Sequence, residues 1–191
     1  MSAAIGNINW MSLNILLACL GVLFGLIFIY FKSWYLKIPM FILWLLFIPN
    51  TIYLVTDLQH FSRQFYAATT PLEEIALFIE YIFLFIFGLV TYLFGMYPLQ
   101  KIFPIFRRRQ NPLFIPVVII FNILISFGVA LGKIERTHSL YIFTQPSRVF
   151  DDIMTLLARE NAILVICLFA LLCNIVFFSF YAIVVKLLKI K

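Results

Sequence analysis

Five stretches of this chain each run close to 20 residues with almost no charge, the length at which an α-helix crosses the hydrocarbon core of a bilayer. They are about Leu13 to Phe31, Ile38 to Asp57, Ile75 to Tyr97, Leu113 to Leu131 and Ala162 to Val185. In lipid every backbone N–H and C=O must be satisfied inside the segment, so apolar runs of this length fold as helices. Too few polar residues remain to clothe a soluble domain: 64% of the 191 residues are hydrophobic and 12% are charged, and the mean hydropathy is +1.08. The expected fold is an all-α, polytopic membrane bundle of about five transmembrane helices. It forms a single transmembrane domain over residues 1–191, and its first partner is the lipid bilayer.

The net charge is +6, but the basic residues fall in short clusters between apolar runs. That is a topology signal and not the footprint of a nucleic-acid partner. Lys32, Lys37, Lys101, Arg107, Arg108, Arg109, Lys186, Lys189 and Lys191 share one side of a five-span topology. Arg63, Lys133, Arg136, Arg148 and Arg159 share the other. Every acid and both histidines lie on that second side or in the ends of spans facing it. The expected placement is the cell (inner) membrane, with the N-terminus outside and the C-terminus cytoplasmic.

Local signals set some boundaries. The run TPLE, Thr70 to Glu73, reads as an N-cap, a first-turn proline and the glutamate of a capping box, so the third helix should begin at Pro71. GVALG, Gly128 to Gly132, has the spacing that lets two membrane helices approach closely. The connection from about Lys133 to Asn161 exceeds the usual loop length. Within it Val149, Phe150, Ile153, Leu156 and Leu157 recur at helical spacing, which predicts a short amphipathic helix at the outer interface or an outward extension of the fifth span. Cys19, Cys167 and Cys173 sit inside apolar runs with no ligand spacing between them. No Lys or Arg precedes the run around Cys19, which continues to Phe31, so an uncleaved first span is expected there and not a lipoprotein leader.

Three polar stripes interrupt the apolar faces. At about 100° per residue, Asn50, Tyr53, Asp57, His60 and Gln64 fall within one arc of the second span. Pro49 lies at the inner end of this arc; it should bend the helix and free the Leu45 carbonyl for another donor. Glu73, Glu80 and Thr91 share a face of the third span, and Asn122, Ser126, Lys133 and Arg136 share a face of the fourth. Ionisable residues inside spans face the protein interior and find partners. Asp57, His60, Lys133 and Arg136 are therefore expected to line one polar site near the outer leaflet.

Several chemistries fit such a site. Asp57, His60 and Glu80 are the candidates for proton transfer, and Asn50, Tyr53, Lys133, Arg136 and Ser139 for ligand contact. Lys133 and Arg136 suit a lipid headgroup or small anion. Asp57 and His60 lie close enough to share a metal ion, but a zinc site needs three or four ligands, which Glu80, Glu135 or His138 would have to complete. Nothing in the pattern names a cofactor. The alternatives are a small-solute binding or transport subunit and a structural subunit with internally paired charges.

The run WLLFIPNTIYLVTDLQHF resembles the signature of the family called domain of unknown function 1361, through Phe47, Pro49, Asn50, Tyr53, Thr56, Asp57, Leu58 and His60. A second element is similar through Gly128, Leu131, Gly132, Lys133, Arg136 and Ser139, with His138 and Leu140 standing where the family has Asn and Trp. The resemblance spans about Trp44 to Ile153. It implies a bacterial multi-pass membrane protein and names no chemistry.

Overall fold

The computed structural model describes residues 3–102 and 114–187. The cations Arg107, Arg108, Arg109, Lys189 and Lys191, together with Leu113, lie outside them. Within the described residues the elements are helical throughout: α1 (Ala3–Tyr30), α2 (Trp34–Phe47), α3 (Pro49–Thr56), a 3₁₀ turn (Asp57–His60), α4 (Phe61–Ala67), α5 (Pro71–Gly95), α6 (Tyr97–Ile102), α7 (Phe114–Ile134), α8 (Tyr141–Thr144), α9 (Pro146–Ala158) and α10 (Ala162–Leu187). Among the described residues five stretches are long and apolar enough to cross a membrane: Gly6–Tyr30, Trp34–Ala67, Pro71–Leu99, Ile115–Glu135 and Ala162–Ile183. The chain forms two compact units, Met1–Pro98 and Leu99–Lys191.

In the first unit α1 packs against α2, α3 and α5, and α3 packs on α5. One core cluster is Met11, Ala18, Leu54, Leu77, Tyr81 and Leu84. Trp44 is fully buried, and its indole N–H donates to the Gly95 carbonyl at 2.9 Å, so a large apolar side chain enters the core without stranding its donor.

The second span is interrupted at Ile48, immediately before Pro49, which has no N–H to continue the ladder. The Thr51 N–H tightens onto the Ile48 carbonyl at 3.0 Å. That leaves the Phe47 carbonyl, and the Asn50 side-chain amide folds back to donate to it at 2.9 Å. A donor is thus supplied to the Phe47 carbonyl from the residue that follows the proline. Glycines crowd this break. A Cβ at Gly21 would lie 2.8 Å from the Phe47 carbonyl oxygen, one at Gly88 would lie 3.1 Å from that of Thr51, and one at Gly95 would lie 3.2 Å from the Ile48 side chain.

α5 begins at Pro71 as its capping signal requires. Thr70 Oγ accepts from the Glu73 N–H at 3.3 Å, and the Glu73 carboxylate accepts from the Thr69 N–H at 3.1 Å.

In the second unit α7 packs on α10. The Asn122 amide donates to Asn174 Oδ1 at 2.9 Å, and Ser126 Oγ, which donates to the Asn122 carbonyl at 2.6 Å, lies 3.7 Å from Cys173 Sγ. Such polar contacts hold helices together where lipid removes the hydrophobic drive. The amphipathic segment is a separate helix, α9, and not an extension of the fifth span: Arg159 is extended (φ −76, ψ 131) between α9 and α10. Val149 and Leu156 are buried, and Leu156 clusters with Ala130 and Ala162. Phe150, Met154 and Leu157 form an exposed apolar edge of the same helix.

Candidate functional site

The polar residues of the first unit gather at the end that holds the start of α1. α1 and the α2–α3 segment run antiparallel, so Asn14 meets Asp57, Trp10 meets His60 and Asn7 meets Gln64. Depth follows from length. Counting about 20 residues forward from Trp34 and backward from Leu99 reaches roughly positions 54 and 79, so Asp57 and Glu80 fall near the same edge of the hydrocarbon.

Asn7 is 3% exposed and is the hub. Its amide nitrogen donates to Gln64 Oε1 at 2.6 Å and to Glu80 Oε2 at 3.3 Å. Its oxygen accepts from Gln64 Nε2 and from the Trp10 indole N–H, both at 3.0 Å. One buried side chain therefore ties α1, α4 and α5. A turn or two further along α1, Asn14 Nδ2 donates to Asp57 Oδ2 at 3.0 Å. Asp57 is itself 2% exposed, a carboxylate taken almost wholly out of solvent.

Next to Glu80 on α5 stands Tyr81. It is 2% exposed, its ring lies 5.4 Å from that of Phe61 in an edge-on contact, and its hydroxyl has no hydrogen-bond partner among the described residues. Asp57 and Glu80 both act electrostatically on that hydroxyl. A buried phenol left without a partner forfeits about 1–3 kcal/mol, so such groups are rare in native proteins and ask for an explanation.

The 3₁₀ turn over Asp57–His60 eclipses positions three apart, so both side chains leave the chain toward α1, one turn from each other. Asp57 falls within the packed part. His60 lies beyond it, exposed, with its ring 6.2 Å from Trp10 and 3.1 Å from the Gln59 amide. Tyr53 is half-buried on the same side, while Asn50 is engaged with the Phe47 carbonyl. Among the described residues no three His, Cys, Asp or Glu side chains come together as a metal would require. Within the first unit, Glu80 thus does not complete a ligand set around Asp57 and His60.

Lys133, Arg136 and Ser139 belong to the second unit, at and just after the end of α7. Arg136 is exposed and has a left-handed backbone, φ 57. Around it the segment is strapped down: Arg159 Nε meets Glu135 Oε1 at 2.7 Å, the Thr137 hydroxyl donates to the Asp152 carboxylate, and the Arg148 guanidinium lies 4.5 Å over the Tyr141 ring. Asn122 and Ser126, on the same sequence stripe as Lys133 and Arg136, are buried against α10.

Sequence reasoning missed Asn7, Trp10, Asn14, Tyr81 and Asn174. The first three sat in plain view at i, i+3 and i+7, one helical face, but they lie before or at the very start of the apolar run that defined the first span. Asn174 is a lone amide inside the fifth run, and such a residue asks for an acceptor on a neighbouring helix.

Fold and site together define an all-α, multi-pass membrane protein with a buried polar cluster at one end of its first unit. The chain belongs to the family described as Protein of unknown function (DUF1361), whose model matches residues 13–176. The match includes Asn14, Asp57, His60, Glu80, Tyr81 and Arg136, whereas Asn7 and Trp10 precede it. No curated protein and no solved structure matches the chain.

Proposed function

We propose that this protein is a resident of the bacterial cell (inner) membrane, N-terminus outside, whose first unit presents a polar site at the outer leaflet that receives the headgroup of a lipid or a phosphorylated lipid. The observation that carries this reading is the Tyr81 hydroxyl, buried and unpartnered beside two carboxylates. A structural cluster closes on itself, as Asn7 does with Gln64, Glu80 and Trp10; Tyr81 leaves one valence for something from outside. Asp57 and Glu80 supply acceptors within the site, and His60 is exposed beside it. Separately, Lys133, Arg136 and Ser139 of the second unit are by themselves candidate contacts for phosphate oxygens.

Native mass spectrometry of the protein, purified in a mild detergent, tests the proposal. Wild type should carry a lipid or small polar molecule that survives detergent exchange, and Asp57→Asn together with Tyr81→Phe should release it from a still-monodisperse protein. Wild-type protein that carries nothing after reconstitution into native lipid extract and re-extraction would rule the site out.

A further inference from the structure

We propose that the turn between α1 and α2 is a contact surface for anionic phospholipid in the leaflet opposite the polar cluster. Lys32 and Lys37 meet the headgroup charge there, and Tyr30, Trp34 and Tyr35 seat beside them. This surface lies at the other end of the first unit from Asn7 and Tyr81 and stands without the polar-site reading above.

Chain geometry sets the depth of the turn. The candidate span Gly6–Tyr30 ends where it starts, and Trp34–Ala67 begins directly after it. Only Phe31, Lys32 and Ser33 separate α1 from α2, and three residues reach about 10 Å at most. Two helices long and apolar enough to cross the bilayer therefore hold the turn at its surface.

The side chains at that depth match such a surface. Tyr30 is 78% exposed, Trp34 74% and Tyr35 91%. Large rings left this open by the protein suit the boundary between headgroups and hydrocarbon, where the apolar body and the polar edge are both accommodated. Lys32 is exposed in the turn itself. Lys37 follows Trp34 by three positions, hence on the same face and about 4.5 Å further along the axis. A lysine so placed lays its stem along apolar surface and returns its ammonium to the headgroups.

Rings alone would make an anchor indifferent to headgroup charge; the lysines give it a sign. Neither is in an ion pair among the described residues. The four acids of the unit, Asp57, Glu73, Glu74 and Glu80, fall in the 3₁₀ turn and the first half of α5. The opposite end of α5 is the one that approaches the α1–α2 turn: a Cβ at Gly25 would lie 2.8 Å from Cγ of Pro98, just past that end. This face of the unit is therefore positive, with its acids held elsewhere. A zwitterionic headgroup brings its own cation and leaves the face uncompensated, whereas an anionic headgroup supplies the missing charge, worth about fivefold in binding for each lysine near it.

The test places the full-length protein in nanodiscs of phosphatidylcholine with a minority of phosphatidylglycerol. Both lipids carry one phosphate and differ in net charge. After gentle extraction, native mass spectrometry counts each lipid on the protein. Wild type should carry phosphatidylglycerol in excess of its share of the bilayer. Lys32→Gln together with Lys37→Gln should cut that excess about fivefold or more, while Lys32→Arg together with Lys37→Arg retains it. Trp34→Ala together with Tyr35→Ala should lower retention of both lipids alike. Elution volume and thermal stability are read on the same samples, so that only folded variants are compared. The absence of an excess in wild type overturns the proposal, as does an excess that survives the glutamine pair. A dimer that the glutamine pair dissociates overturns it too, because the turn would then be a contact between copies of the chain.

Discussion

Arg136 occupies a place where the backbone prefers glycine. Just past the end of α7 it turns left-handed, φ 57, the conformation most helices give to glycine at this position. Holding an L side chain there costs about 1–2 kcal/mol. Strain of this kind persists where the surroundings enforce it and is frequent at working sites. Arg136→Gly should therefore raise the melting temperature of the purified protein, by relief of about 1 kcal/mol, while weakening retention of phosphorylated headgroups. Arg136→Ala should lose the retention without the gain in stability. A fall in melting temperature for the glycine variant would mean that the side chain braces the fold. At this scale the sequence revealed where polar residues cluster but not which of them were already spoken for. Asn50 is held by the Phe47 carbonyl three residues earlier, and Asn122 by an amide 52 positions away. Neither partner is visible in a helical projection of one segment.

Elements were legible in proportion to how much of their signal is local. The capping residues of α5 and the break before Pro49 follow from short-range rules and are found where those rules put them, whereas the helical spacing of α9 was legible but its separation from the fifth span was not. The start of α1 was not legible, because Asn7, Asn9 and Ser12 interrupt its apolar pattern ahead of Leu13. This stretch is helical, and its Asn7 amide has partners on α4 and α5. The close approach of helices was equally hidden. GVALG drew attention by its spacing, yet it is Gly21, in the GVLFG of α1, and Gly88, outside any such motif, that lie against the backbone at the α2–α3 break. Two substitutions in α1 measure this. Gly21→Ala places a Cβ 2.8 Å from the Phe47 carbonyl oxygen, backbone that cannot yield cheaply, and should destabilise by about 1–3 kcal/mol. Gly6→Ala meets nothing within 4 Å and should be neutral or stabilising by up to about 1 kcal/mol through helix propensity. Thermal unfolding of the two variants in the same detergent gives the comparison, and equal stability would show that the break tolerates separation of α1.

At the scale of the whole molecule, the distribution of cations predicts which ends face which compartment. Ser62 and Ser33 are exposed at opposite ends of the first unit and suit impermeant thiol labelling, once Cys19, Cys167 and Cys173 are replaced by alanine. In intact cells Ser62→Cys should label and Ser33→Cys should not; the reverse pattern would invert the topology and move the polar cluster to the cytoplasmic side. The Asn7 hub carries a further consequence, for synthesis. Its two partners on the later helices lie 57 and 73 positions downstream. At ribosomal rates of about 5–20 residues per second, Asn7 is joined to the chain roughly 4–15 s before Glu80. Throughout that interval the amide has only water, headgroups or the insertion machinery to bond to. The nascent first helix should therefore linger at the outer boundary, unable to sink fully into lipid, until α5 arrives to close over it. The last step in maturing this half of the protein would then be the burial of its own N-terminus.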